Sequence, residues 1–188
     1  MSVVVAIKEN DTIYFGADTL MTRGSTKISE VNNEEKYKIT KLTNGVIIAH
    51  TGGVATTQKL VFHEEWFDKV SEKGLDKEFI LNEIVPKLRK ELEEYKLLEE
   101  DGSMDASFFI AYKDKLYDLK PGFTSVRITE HASIGAGKDF ALSSLSKENL
   151  PLEDRMLSSL RMSAKMCSSV GAPFIFIDTK NLEFTIKD

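Results

Sequence analysis

Residues 1–18 read Met1-Ser2-Val3-Val4-Val5-Ala6-Ile7-Lys8-Glu9-Asn10-Asp11-Thr12-Ile13-Tyr14-Phe15-Gly16-Ala17-Asp18. Two runs rich in β-branched and aromatic residues flank the turn formers Asn10-Asp11, so 3–8 and 12–18 spell a β-hairpin. A terminus that opens directly into a sheet is anchored where an ordinary one frays. Removal of Met1 leaves Ser2 with a free amine and a hydroxyl on one residue. An α-amine has a reference pKa of about 7.7–8.0 and can act as a base near neutrality. It supplies the base that a hydroxyl needs before it becomes a useful nucleophile. With Met1 attached, the amine lies one residue from the hydroxyl and this chemistry is lost.

Outward from the hairpin, the polar stretch 22–33 reads as a loop. Residues 36–41 and 46–50 flank Thr43-Asn44-Gly45, a second hairpin signal, and Gly52-Gly53 leads into a helix. There Leu60, His63, Phe67 and Val70 share one face at the 3.6 period. A second helix follows Gly74, with Ile80, Ile84, Leu88, Leu92 and Tyr95 as its stripe and Pro86 as a kink. Strands return at 106–112, 115–119 and 125–128, with a short one entering Ser133-Ile134. A short helix at 139–145 and a longer one from about Leu152 follow, the latter striped by Met156, Leu160, Ala164 and Cys167. Strands at 174–178 and 183–187 close the chain around Lys180-Asn181. Hairpins dominate this order, so the sheets are mainly antiparallel and the alternating βαβ pattern is absent. Two helix pairs separated by strands predict two packed sheets, each covered by its own helices: an α+β fold, the four-layer αββα sandwich.

The bulk numbers fit. A chain of 188 residues, 41% hydrophobic and 29% charged, suits a single domain over 1–188 with a substantial core. A net charge of −5 without clustered Lys and Arg argues against a nucleic-acid surface. The lone cysteine, Cys167, excludes an intramolecular disulfide framework and fits a reducing compartment. The apolar run 3–7 is too short for a signal peptide, and no stretch approaches a membrane span. A soluble, cytoplasmic protein is expected.

The element order and several motifs resemble a proteasome β-type subunit and the related bacterial ring protease, and more broadly an N-terminal nucleophile (Ntn) hydrolase. Ser2 stands where those chains open with threonine, and Ala17-Asp18 matches the pair that ends their second strand. Glu35-Lys36-Tyr37-Lys38-Ile39 resembles the third strand. The stretch from Gly45 to Gly53 resembles the passage from strand to helix, and Ser133-Ile134-Gly135-Ala136-Gly137 the "I-G-S-G" turn. The resemblance implies peptide or amide hydrolysis with Ser2 as nucleophile. It assigns Asp18 to orienting a buried lysine, for which Lys36 is the expected residue. That cation keeps the amine neutral. A backbone N–H near His50 is the implied oxyanion donor.

Strict alternation from Tyr37 and Ile39 puts Glu35 at the lysine position, and only a one-residue bulge turns Lys36 inward. Ala136 replaces a serine, and the family's "D-x-x-S-G" would align Cys167 with its aspartate and Val170 with its serine. These departures leave open a catalytically inactive, ring-forming structural subunit. The resemblance further implies a homo-oligomeric ring, a peptide or unfolded-protein substrate, and room for an ATPase partner. No cofactor is expected. Gly135-Ala136-Gly137-Lys138 lacks the full phosphate-loop pattern, and His63-Glu64-Glu65-Trp66 lacks the second histidine of a zinc helix. His63 is expected as a core histidine and Cys167 as packing.

Overall fold

The computed structural model describes residues 2–23, 26–29, 38–146 and 149–188. Its strands and helices run β1 (Val3–Glu9), β2 (Thr12–Asp18), β3 (Leu20–Arg23), β4 (Thr26–Ser29), β5 (Ile39–Lys41), β6 (Ile47–Gly52), α1 (Val54–Val61), α2 (Val70–Lys73) and α3 (Lys77–Phe79). They continue with α4 (Val85–Glu94), β7 (Ala106–Tyr112), β8 (Lys115–Leu119), β9 (Ser125–Arg127), β10 (His131–Gly135), α5 (Lys138–Leu145), α6 (Leu152–Met166), β11 (Phe174–Asp178) and β12 (Thr185–Lys187). One five-stranded sheet has the order β10-β1-β2-β11-β12, the other β5-β6-β7-β8-β9, and β3-β4 forms a separate hairpin. Neighbouring strands pair antiparallel.

Side-chain alternation divides the core into three layers. Val4, Ala6, Ile13, Phe15 and Ala17 of the first sheet meet Ile39, Ile47, Ala49, Phe109 and Ala111 of the second. The outer face of the first sheet packs Val3, Val5 and Ile7 under α5 and α6, against Leu145, Met156 and Leu160. The outer face of the second sheet packs Ile48, Phe108 and Ile110 under α1 and α4, against Leu60, Leu88 and Leu92. The result is the four-layer αββα sandwich with mainly antiparallel sheets. β1 lies between β10 and β2, with one face covered by the second sheet and the other by α5 and α6, and Val3 to Ile7 are each at most 3% exposed. Burying each large apolar side chain is worth about 1.5–3 kcal/mol, so the strand that carries Ser2 is held rigidly.

Four local expectations change. The polar stretch after Asp18 is not one loop: β3 pairs with β4 from Leu20↔Ser29 to Arg23↔Thr26. The stripe from Leu60 to Val70 is not one helix. A 3₁₀ turn at Glu64–Phe67 follows α1 and buries Phe67, and Val70, the first residue of α2, joins the same apolar layer. His63 is left partly exposed, stacked on Trp66 with ring centroids 4.3 Å apart and with Nδ1 2.7 Å from Glu65 Oε1. It lies half-buried at the rim of the core, not within it. Tyr95 lies one residue beyond α4 and is exposed, with the Lys59 ammonium over its ring. The helix carrying Pro86 accommodates it through a π-helical turn, Ile80–Ile84, directly upstream.

Candidate functional site

The amino end of β1 is built around one buried carboxylate. Asp18 closes β2, opposite the start of β1 in the register Val4↔Ala17. Its side chain is fully buried, and Oδ1 accepts from the Val3 amide at 2.8 Å and from Lys38 Nζ at 2.7 Å. The Gly171 amide approaches Oδ2 at 3.4 Å. Burial pushes the Asp18 carboxyl up from its ordinary value, and the Lys38 charge and hydrogen bond, then the amides of Val3 and Gly171, oppose that rise. Lys38 is itself buried and donates a second bond to the Leu20 carbonyl at 2.8 Å. The ammonium is thus fixed from two sides on the oxygen that holds the residue after Ser2.

Ser2 is buried just ahead of this pair. Its carbonyl accepts from the Gly137 amide at 3.3 Å. The Ser2 carbonyl and the Val3 N–H belong to the same peptide group, so that plane is held at both ends, by Gly137 and by Asp18. Gly135 has φ +95°, and a Cβ there would lie 2.2 Å from the Ser2 oxygen and 2.9 Å from Thr51 Cγ2. Only glycine lets the end of β10 approach this closely. The "G-x-G" pattern therefore serves the contact with β1, as a tight passage into α5.

The structure brings Ser2 and Asp18 together through Val3. Glu35, Lys36 and Met1 lie outside the described residues. The cation on Asp18 is Lys38, which the sequence reading passed over. Alternation assumed a straight strand through 36–41, whereas β5 starts at Ile39 and Lys38 sits in a bend. The usable signal was the turn at Thr43-Asn44-Gly45. Counting back from it gives Ile39↔Ala49, and the next position back, Lys38, falls opposite His50. The His50 amide donates to the Lys38 carbonyl at 2.8 Å, so that N–H serves strand pairing. An oxyanion donor would have to come from a neighbouring amide.

Of the remaining aligned positions, Val170 is buried in the apolar layer under α6. Gly171, the glycine of that motif, is the one that reaches Asp18. Cys167 is half-buried against the same layer, with Sγ 3.7 Å from the Ala136 carbonyl. Among the described residues no group of three or more His, Cys, Asp or Glu could hold a metal. No described helix is long and apolar enough to cross a membrane.

No family model matches the chain, and no curated protein does. Solved structures do. Thiobacillus denitrificans BPH superposes with a TM-score of 0.76 at 21% identity, over 96% of this chain and 98% of that one. The Anbu complex from Pseudomonas aeruginosa, a helical assembly, gives 0.71 at 16% identity, over 98% and 86%. HslV from Trypanosoma brucei gives 0.65 at 14% identity, over 94% and 98%. The likeness spans nearly the whole chain in each case, and the chain has the fold of the proteasome-like N-terminal nucleophile hydrolases.

Proposed function

We propose that this protein hydrolyses peptide or amide bonds, with Ser2 as the nucleophile once Met1 is removed. The observation that carries the reading is the convergence of Lys38, Asp18 and the Val3 amide beside Ser2. A buried ammonium disfavours a second positive charge close by, so it lowers the pKa of an amine freed at Ser2. The neutral amine takes the hydroxyl proton, directly or through a water, and Ser2 Oγ attacks the carbonyl carbon. The oxygen that becomes negative is stabilised by Lys38 and a backbone N–H of the neighbouring strand. As the intermediate collapses, the protonated α-amine passes its proton to the departing nitrogen and the C–N bond breaks. An ester is left on Ser2, which water hydrolyses with the same amine, now neutral again, as base.

BPH of Thiobacillus denitrificans has been solved in complex with epoxomicin, and that chain superposes with a TM-score of 0.76. The same ligand is a suitable probe for Ser2 here. Anbu of Pseudomonas aeruginosa forms a helical assembly, and we take this chain to form a homo-oligomer too, a ring as the sequence resemblance implies, acting on peptides or unfolded proteins in the cytoplasm. An ATPase that feeds it substrate belongs to the same reading. Ser2→Ala is expected to abolish hydrolysis of a peptide library while leaving the assembly intact; undiminished cleavage refutes Ser2 as the nucleophile.

A second reading rests on Val170, an apolar residue buried where the aligned motif carries serine, and on Cys167 at the aspartate position. These favour a structural subunit that keeps Met1 and acts through its interfaces. Intact mass of the purified protein separates the two.

A further inference from the structure

Ser163 is fully buried in the middle of the C-terminal half of α6. Its hydroxyl lies 3.0 Å from the carbonyl of Ser159, the ordinary back-bond of a helical serine to residue i−4. Its one proton is shared with a second acceptor, the carbonyl of Gly137 at 2.9 Å, which lies outside the helix. Gly137 is the residue before α5. Its carbonyl already accepts the Ala141 amide at 3.1 Å, so the contact from Ser163 is an added tie across the two helices. The Gly137 N–H, on the other side of the same residue, is the donor to the Ser2 carbonyl.

The junction is tight. A Cβ on Gly137 would meet Ser163 Cβ at 2.9 Å and Val3 Cβ at 3.0 Å. Gly137 is therefore wedged between α6 and β1, with its carbonyl held by the helix and its N–H holding the strand. We infer that Ser163 is a positioning residue for Ser2: it sets Gly137, and Gly137 sets the peptide plane that orients the Ser2 side chain. The inference rests on the reading of Ser2 as the nucleophile. It adds a residue that touches no reacting atom and that lies 161 positions along the chain from Ser2.

The chain contains its own control. Ser144 and Ser158 share a part-buried hydroxyl contact of 2.8 Å between the same two helices, one that does not involve Gly137. Ser144→Ala and Ser163→Ala each remove a hydroxyl contact at the seam of α5 and α6, part-buried in the first and buried in the second. A purely structural role for Ser163 lowers stability without slowing the labelling of Ser2.

The test has two readouts on the parent protein, Ser163→Ala and Ser144→Ala. The first is amide hydrogen exchange at Gly137, which needs no activity. The second is the rate at which saturating epoxomicin labels Ser2. Ser163→Ala is expected to speed Gly137 exchange about five- to tenfold, the worth of one neutral hydrogen bond. It is also expected to slow labelling about tenfold, with little change in the concentration that half-saturates the rate. Ser144→Ala is expected to change neither. Unchanged Gly137 exchange in Ser163→Ala overturns the inference, and so does faster exchange with undiminished labelling. If the parent is not labelled at all, the nucleophile reading fails, while the exchange result still decides whether Ser163 holds the Gly137–Ser2 contact. Should Ser163→Ala fail to fold, Ser163→Cys retains a weak donor and is expected to give intermediate shifts in both readouts.

Discussion

Lys38→Met removes the charge that faces Asp18 and keeps most of the side-chain volume. The two groups are 2.7 Å apart, with side chains 8% and 0% exposed. At an effective dielectric constant of about 20, the direct attraction at that distance is on the order of 6 kcal/mol. Part of this offsets the cost of burying both ions, so the quantity to measure is the cost of orphaning one partner, about 3–5 kcal/mol. For a chain of this length each kcal/mol corresponds to roughly 2–4 °C in Tm, so the variant is expected to melt roughly 6–20 °C lower at neutral pH.

The pH dependence carries the sign. Burial already raises the Asp18 carboxyl above 3.8, and Lys38 is the largest opposing influence, so its loss raises that carboxyl further. A folded-state pKa above the unfolded one favours folding at low pH, and that advantage fades as pH rises through the folded value. The gap between parent and variant is therefore expected to be widest near pH 7 and to narrow towards pH 4. Urea unfolding at several pH values measures it. A loss below about 1 kcal/mol at pH 7, typical of an exposed pair, would refute the buried-pair account.

Other outcomes follow from the same geometry. Gly135→Ala forces a Cβ against the Ser2 carbonyl at a φ of +95°, and is expected to cost about 2 kcal/mol or more. Calorimetry checks the stability, and epoxomicin labelling of Ser2 is expected to fall with it. Asp118 has a buried Oδ1 without a hydrogen-bond partner, and burial raises its carboxyl pKa against the weaker pull of Lys120 and Lys138. Its ionised form opposes folding as pH rises, so Asp118→Asn is expected to add about 1 kcal/mol at pH 7 and little at pH 3. Denaturant midpoints at the two pH values check the sign. Asp18→Asn combined with Lys38→Met removes both charges, and is expected to cost less than the sum of the single changes in a double-mutant cycle.

Much of the architecture was legible because burial imposes periodicity. Val3 to Ile7 is a continuous apolar run because β1 is covered on both faces, and the two strands on either side of Lys113-Asp114 were bounded as predicted. The errors fall where local signals compete. Residues 22–33 are polar enough to read as a loop, yet Thr22 and Arg23 close β3 and pair with Lys27 and Thr26 of β4. His63 and Tyr95 continue a helical stripe on paper, but each lies just past the end of a helix, where the period no longer applies. At the candidate site, Ser2 was singled out as the residue that removal of Met1 exposes, and Asp18 by the resemblance of the Ala17-Asp18 pair. Lys38 was missed because a bend interrupts the alternation used to place it. Ser163 gave no signal at all, since its partner is a backbone carbonyl 26 residues away.

The most direct measurement is the mass of the purified protein before and after incubation with epoxomicin, with the modified peptide sequenced. The account predicts a chain lighter by one methionine residue, a single adduct on Ser2, and none in Ser2→Ala. A chain that keeps Met1, or one that loses it and leaves Ser2 unmodified, would contradict it.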